Sequence, residues 1–209
     1  ELANIPQNPR YHGTWGKQGV ILIASDIPGP LLRVPEGSGD PKPATKLDAG
    51  RKEQSHRYPD FLPDGRHFLY LASGADVKDR RVYVGALDSD ERHPLEGISG
   101  ETKYASGHVV FVRDGALMAQ PFDPDRLQLT GDAFAIANPV VAPTDITAAF
   151  SASTPGALSY RVGRGVGGAS STVNVTQLVW FDRKGARGGP AGPDGEYLRP
   201  ELSPDGRFV

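Results

Sequence analysis

The sequence predicts an all-β chain: part of a β-propeller, with about four four-stranded blades and the start of a fifth. Three observations carry this. A short phrase recurs, as Phe61-Leu-Pro-Asp-Gly-Arg66 in mid-chain and Leu202-Ser-Pro-Asp-Gly-Arg207 near the end. The strand-like runs that follow such turns begin near Val20, His67, His108, Ala157 and Phe208, a repeat of roughly 40–50 residues that suits one blade each. No capped run with helical periodicity appears, whereas 26 glycines and 19 prolines in 209 residues suit many short strands joined by turns.

The expected domain is a partial propeller over residues 1–209. Its blades fall at about 10–50, 55–97, 100–140 and 146–192, with a truncated blade at 197–209. In the first, strands are expected at Gly13–Trp15, Val20–Ile23, Leu31–Val34 and Ala44–Leu47. In the second they fall at Tyr58–Leu62, His67–Ala72, Arg81–Leu87 and Glu91–Leu95. The third offers Thr102–Ser106, His108–Arg113, Ala116–Phe122 and Ala133–Ala137. The fourth offers Ala148–Ser153, Ala157–Arg161, Gln177–Asp182 and a weak Gly-rich strand before Gly192. Leu198–Ser203 opens the fifth.

The turn chemistry supports this order. In Pro63-Asp-Gly65 the proline fixes φ at the first corner, the aspartate bonds its own backbone, and the glycine takes the left-handed position. Asp114-Gly115 and Pro155-Gly156 are expected to do the same between other strands. Several strands are apolar throughout, as befits sheets covered on both faces. Two polar loops interrupt the pattern, Ser73–Arg80 and the Gly-rich Gly163–Thr176; loops on a rigid scaffold are where binding tends to sit.

Composition narrows the function classes. The chain is 38% hydrophobic and 23% charged, with a net charge of −2, so there is no strong field to draw nucleic acid or an anionic membrane. Cysteine is absent, which removes disulfides and thiolate metal sites and fits cytoplasm or periplasm equally. No run of 18 apolar residues exists, so this segment is not expected to insert into a bilayer. Residues 1–20 lack the layout of a signal peptide. Starting at Glu1 and stopping at Val209 within an expected strand, the chain reads as a piece of a longer protein.

The five histidines, His12, His56, His67, His93 and His108, fall in different blades or at strand starts, so surface or turn roles are favoured over a metal centre. Asp60 and Asp64 bracket a turn, and Asp205 repeats Asp64. That recurrence favours turn hydrogen bonding over an acid–base pair. Asp123, Asp125 and Asp132 lack the full oxygen set of a calcium loop. Gly163-Arg-Gly-Val-Gly-Gly168 follows no strand–helix context and is a weak phosphate loop. No Gly-x-Ser-x-Gly elbow occurs. Asn174-Val-Thr176 is a formal glycosylation sequon. The aromatics Trp15, Phe61, Tyr104 and Phe150 recur near the start of successive blades and are expected in the packing between blades rather than around a ligand funnel. No residue is assigned a catalytic, cofactor-binding or metal-ligating role, and no cofactor is expected.

Four runs suggest a family: Tyr58-Pro-Asp-Phe-Leu-Pro-Asp-Gly-Arg-His-Phe-Leu-Tyr-Leu-Ala72, Val82-Tyr-Val-Gly-Ala-Leu-Asp88, Phe111-Val-Arg-Asp-Gly-Ala-Leu-Met-Ala-Gln-Pro-Phe-Asp123 and Leu178-Val-Trp-Phe-Asp-Arg-Lys-Gly185. Over nearly the whole chain this phrasing resembles TolB-like propeller repeats. It is most similar to those found C-terminal to bacterial, acidobacteria-like serine/threonine protein kinases. The resemblance implies a non-catalytic sensor or protein-interaction module, periplasmic or otherwise extracytoplasmic. The chain itself carries no Gly-rich nucleotide loop, His-Arg-Asp or Asp-Phe-Gly, so it is not expected to be an enzyme.

The expected partner is a protein or small ligand at the funnel or loops, with self-association through exposed blade edges as the liability. The alternative is the gating propeller of a prolyl-oligopeptidase-like serine peptidase whose hydrolase domain lies elsewhere. A third reading is a propeller lyase or glycosidase with its own axial site.

Overall fold

A computed structural model describes residues 12–36, 39–140, 150–156, 158–160, 179–181 and 187–190. The chain divides into two units, Glu1–Gly168 and Ala169–Val209.

In the first unit, three antiparallel meanders follow one another. Blade 1 is β1 (Gly13–Trp15), β2 (Val20–Ala24), β3 (Leu31–Pro35) and β4 (Lys42–Pro43), paired in chain order. Blade 2 is β5 (Ser55–Phe61), β6 (His67–Ser73), β7 (Arg81–Ala86) and β8 (Ser89–Leu95), again in chain order. Blade 3 is β9 (Thr102–Ala105), β10 (His108–Arg113), the long β11 (Ala116–Asp123), β12 (Gln128–Leu129) and β13 (Phe134–Ala137). Both β12 and β13 pair with β11: β12 with its last residues, Phe122 and Asp123, and β13 with Leu117–Ala119. The outer edge of this blade is thus built in two pieces. A hairpin follows, β14 (Phe150–Ala152) with β15 (Leu158–Tyr160). The second unit holds another, β16 (Val179–Phe181) with β17 (Arg187–Pro190). The helical content of the described residues is two single 3-10 turns, Ala49–Arg51 and Val77–Asp79. The fold is therefore all-β, with repeated antiparallel sheets of the blade type.

Most strands fall where the sequence placed them, and one does not. The fourth strand of blade 1 is Lys42–Pro43, not Ala44–Leu47. The Ala44 amide still donates to the Leu31 carbonyl at 2.8 Å, but pairing with β3 ends there. Residues 44–47 instead begin the connector to blade 2. The expected strands at residues 198–203, the loop at residues 163–176 and the second Pro-Asp-Gly-Arg phrase lie outside the described residues.

The turns explain the pairing. Asp64 accepts from the amides of Arg66 and His67, both at 2.9 Å, and Gly65 has φ +71°, so the turn chemistry read from the sequence holds. Asp114 and Gly115 have φ of 50° and 75° between Arg113 and Ala116, the two left-handed corners that a two-residue hairpin of right-handed twist requires.

The strands alternate their buried residues between two faces, so blades 2 and 3 are covered on both sides. On β6, Phe68, Tyr70 and Ala72 pack with Leu22, Ala24 and Leu31 of blade 1. The intervening Leu69 and Leu71 pack with Tyr104, Val109, Phe111 and Phe122 of blade 3. Blade 3 repeats the pattern, presenting Ala105, Val110, Leu117 and Ala119 to Phe150, Ala152 and Leu158 of the next hairpin. Phe61 and Tyr104 are core residues, Phe150 packs against the third cluster, and Trp15 is half-buried. Phe61, Tyr104 and Phe150 are packing residues, as expected.

One polar contact also joins neighbouring blades. Asp60 on β5 accepts from the Tyr104 amide of β9 at 2.7 Å and from Lys103 Nζ at 3.1 Å. Replacing Asp60 with alanine would strand a buried amide and leave Lys103 without this carboxylate. We expect a loss of about 1–3 kcal/mol in urea unfolding, with Asp60→Asn retaining part of it.

Candidate functional site

The connector from blade 1 to blade 2 builds the most developed polar site among the described residues. Asp48 begins the 3-10 turn Ala49–Arg51, its Oδ1 accepting from the Arg51 amide at 3.3 Å. Lys52 then takes a left-handed conformation, φ 57°, and sends Glu53 inward. The Glu53 side chain is 1% exposed. Bringing a carboxylate there demands partners, and it has three. Arg92 of β8 donates to Oε1 at 2.8 Å and to Oε2 at 3.0 Å, the Asp48 amide donates at 2.8 Å, and His56 Nε2 lies at 3.1 Å.

Each partner is itself fixed. His56 is fully buried; its Nδ1 is 2.7 Å from Thr45 Oγ1, and that hydroxyl accepts from the Leu31 amide of blade 1 at 2.9 Å. Arg92 donates a further bond to Asp48 Oδ2 at 2.9 Å and lies over the Tyr83 ring, 4.3 Å from its centroid. Tyr83 stacks on Tyr70 at 5.7 Å. Tyr70 in turn meets the His56 ring at 4.8 Å. One network therefore runs from Thr45 to Arg92 across the face where blades 1 and 2 meet.

Its electrostatics follow from this geometry. Burial pushes the Glu53 carboxyl up, but the His56 and Asp48 hydrogen bonds and the Arg92 charge outweigh it and hold the group below the usual carboxylate range. Burial drives the Tyr70 phenol up to about 12, against the opposing pull of Arg92.

Outside the network lies a cleft of about 450 Å³, walled by Ala44–Gly50 on one side and Ser89–Arg92 on the other. At its base, Gly85 leaves room for the Phe68 and Tyr70 rings; a Cβ there would stand 3.1 Å from both. The rim carries Lys46, Asp48, Asp90 and Glu91.

No family model matches the chain, and no curated protein matches it. Among solved structures, the chain is similar to TolB from Acinetobacter baumannii, at a TM-score of 0.47 and 18% identity. The match covers 94% of this chain and 47% of that one, so the chain spans about half the length of that neighbour.

The other residues singled out in the sequence are dispersed. His67 caps its own turn through Asp64. That carboxyl is pushed up by burial but held low, on balance, by the bonds from His67 and Arg66. His12 packs on Tyr58 at 4.2 Å, His93 is exposed on β8, and His108 bonds the Ser106 carbonyl at 2.9 Å. Asp123 accepts from the amides of Asp125 and Arg126, both at 3.0 Å, which is turn chemistry; Asp132 is exposed. Asp60 and Asp64 serve different contacts and do not face one substrate. Among the described residues no group of three or more potential ligands is placed to hold a metal ion, and no helix is long and apolar enough to cross a membrane. Asn174, Asp205 and the glycines of residues 163–168 lie outside the described residues.

Sequence reasoning missed Glu53 and Arg92 and treated His56 as one of a scattered set. A signal was present: His56 falls among the buried positions of a strand, where a histidine needs a polar partner.

Proposed function

We propose that this chain is a non-catalytic β-propeller module that binds a protein partner, within a longer, extracytoplasmic receptor or kinase-linked protein. The observation that carries the reading is how the ionisable groups beside the cleft are used. Glu53 is held by three partners, Arg92 by two carboxylates and an aromatic face, and the Tyr70 phenol stays protonated at neutral pH. These groups fix the join between blades; a proton-transfer catalyst needs a group poised to change charge near the working pH. What such a site offers is a rigid, charged surface for binding.

The kinase-linked and extracytoplasmic parts rest on the repeat phrasing around Tyr58–Ala72 and Phe111–Asp123. We place the blades at 10–50, 55–97, 100–140 and 146–192, with a further one opening at 197–209. Binding is assigned to the loops, Ser73–Arg80 first: within it Val77 is 59% exposed, a large apolar side chain held out on a 3-10 turn.

A photo-crosslinking residue placed at Val77, and separately at Asp90, tests this in the producing cell. The reading expects a discrete adduct with one protein at one or both positions. Absence of adducts at both, with the protein folded and abundant, overturns it.

A further inference from the structure

The hydrogen bonds around His56 run in one direction, and that direction sets a condition on its proton. The Leu31 amide of blade 1 can only donate, and it does so to Thr45 Oγ1 at 2.9 Å. The ionised Glu53 carboxylate can only accept, and it takes His56 Nε2 at 3.1 Å. Between these two ends the order is forced. His56 carries its proton on Nε2, and the bare Nδ1, 2.7 Å from Thr45 Oγ1, accepts the hydroxyl hydrogen. Each hydrogen on the path then has its acceptor, as a fully buried ring requires.

A second proton breaks the order. It sits on Nδ1 and points at Thr45 Oγ1, already the acceptor for Leu31. The hydroxyl hydrogen loses its acceptor, and an unpaired polar group away from water is costly. The imidazolium keeps Glu53, the better acceptor for a charged donor, so Thr45 is the partner given up. The groups facing His56 come from several elements. Glu53 of the connector meets it directly, and Arg92 of β8 lies behind Glu53, shared with Asp48. Tyr70 of β6 lies 4.8 Å away, with Tyr83 of β7 stacked behind it. Blade 1 brings the Gly29 carbonyl, which accepts from the His56 amide, and on the same strand Arg57 is turned to Ser55. Between about pH 8 and about pH 5 Glu53 stays ionised and Tyr70 protonated, whereas an imidazole is the side chain that ordinarily changes charge there.

We propose that His56 is a proton-operated latch: neutral, it pins the connector to blade 1 through Thr45, and protonated, it lets Thr45 go and loosens residues 44–47, one wall of the cleft. The bond from the Ala44 amide to the Leu31 carbonyl, at 2.8 Å, stays as the hinge. His56 touches no solvent, so its proton acts on the fold rather than on a substrate. The latch stands apart from the binding reading, which the Val77 crosslink tests.

Amide hydrogen exchange at Leu31, corrected for the intrinsic effect of pH, reads the latch in the intact chain. Its protection is expected to fall at least about tenfold across that pH window, the scale of one lost hydrogen bond. The ring nitrogen shifts of His56 are expected to show the Nε2-protonated tautomer at the alkaline end. They are expected to change over the same interval as the Leu31 protection. His56→Gln keeps a donor toward Glu53 but takes up no proton, so its Leu31 protection is expected to stay level. Thr45→Val removes the hydroxyl and is expected to lower protection at the alkaline end to the value that wild type reaches in acid. Level protection in wild type, an Nδ1-protonated ring at the alkaline end, or a fall of equal size in His56→Gln overturns the proposal. The first two outcomes are read from wild type alone, so they decide the matter even if a variant fails to fold.

Discussion

Replacing Glu53 with alanine should destabilise the protein by about 3–5 kcal/mol, the range for removing one partner of a buried ion pair. The variant keeps Arg92 and His56 in place and removes the carboxylate both face. Against a usual domain stability of about 5–15 kcal/mol, that is between a fifth and the whole of the total. Glu53→Gln keeps the shape and one acceptor, so its loss should be smaller. The pH dependence gives an independent check. The folded chain holds the Glu53 carboxyl lower than the unfolded chain does. Its contribution is therefore fully present above the unfolded value of about 4.3 and fades as pH falls through the lower, folded value. Urea unfolding of wild type and Glu53→Gln should differ at pH 7 and converge as the pH falls through the folded value. A gap that stays constant down to pH 2 would show that the carboxylate charge contributes nothing.

The second large effect belongs to the core. Phe111→Ala should cost about 3–5 kcal/mol, because a buried aromatic side chain leaves both lost burial and an unfilled cavity. Phe111 is 1% exposed and sits in the cluster that joins blades 2 and 3. Arg113 covers the ring 5.0 Å from its centroid, and that cover is lost as well. Phe134 provides the control. It is 51% exposed on β13, and Phe134→Ala should stay within about 0.5 kcal/mol. Thermal denaturation of both variants decides the matter; similar losses at the two positions would mean that the interface between blades 2 and 3 is not a packed core.

How much of this was legible in the sequence depends on the range over which the cause acts. Turns are local, so Pro63-Asp-Gly65 and Asp114-Gly115 could be read directly, and the strands they connect followed from them. Apolar runs are local too, and together with the turns before them they placed β6 and β10 to within a residue. The end of β4 was not legible. Thr45-Lys-Leu47 has strand-like side chains, but whether it pairs depends on where β3 stops presenting groups, and those residues lie more than ten positions away.

The polar network was hidden for the same reason. Arg92 and Glu53 are 39 residues apart in sequence, and no spacing rule links them. Only stacking blade 2 against the connector brings them together. His56 looked like one of five scattered histidines because its partners come from Thr45 before it and from a glutamate turned inward by the left-handed Lys52.

The inner strand of blade 2 has a bearing on how the chain escapes misassembly. β5 contains Pro59, its pairing with β6 slips between Arg57 and Asp60, and Tyr58 takes φ 53°. A proline removes a donor and a bulge twists the edge aside. Sticky sequences emerging alongside it during synthesis therefore find β5 a poor template. The same blade's other border, β8, carries both devices as well: Pro94, and a slip in its pairing with β7 between Val84 and Ala86. Blade 2 is thus guarded along both of its borders, so a wandering strand meets no straight, fully donating edge on either side of it.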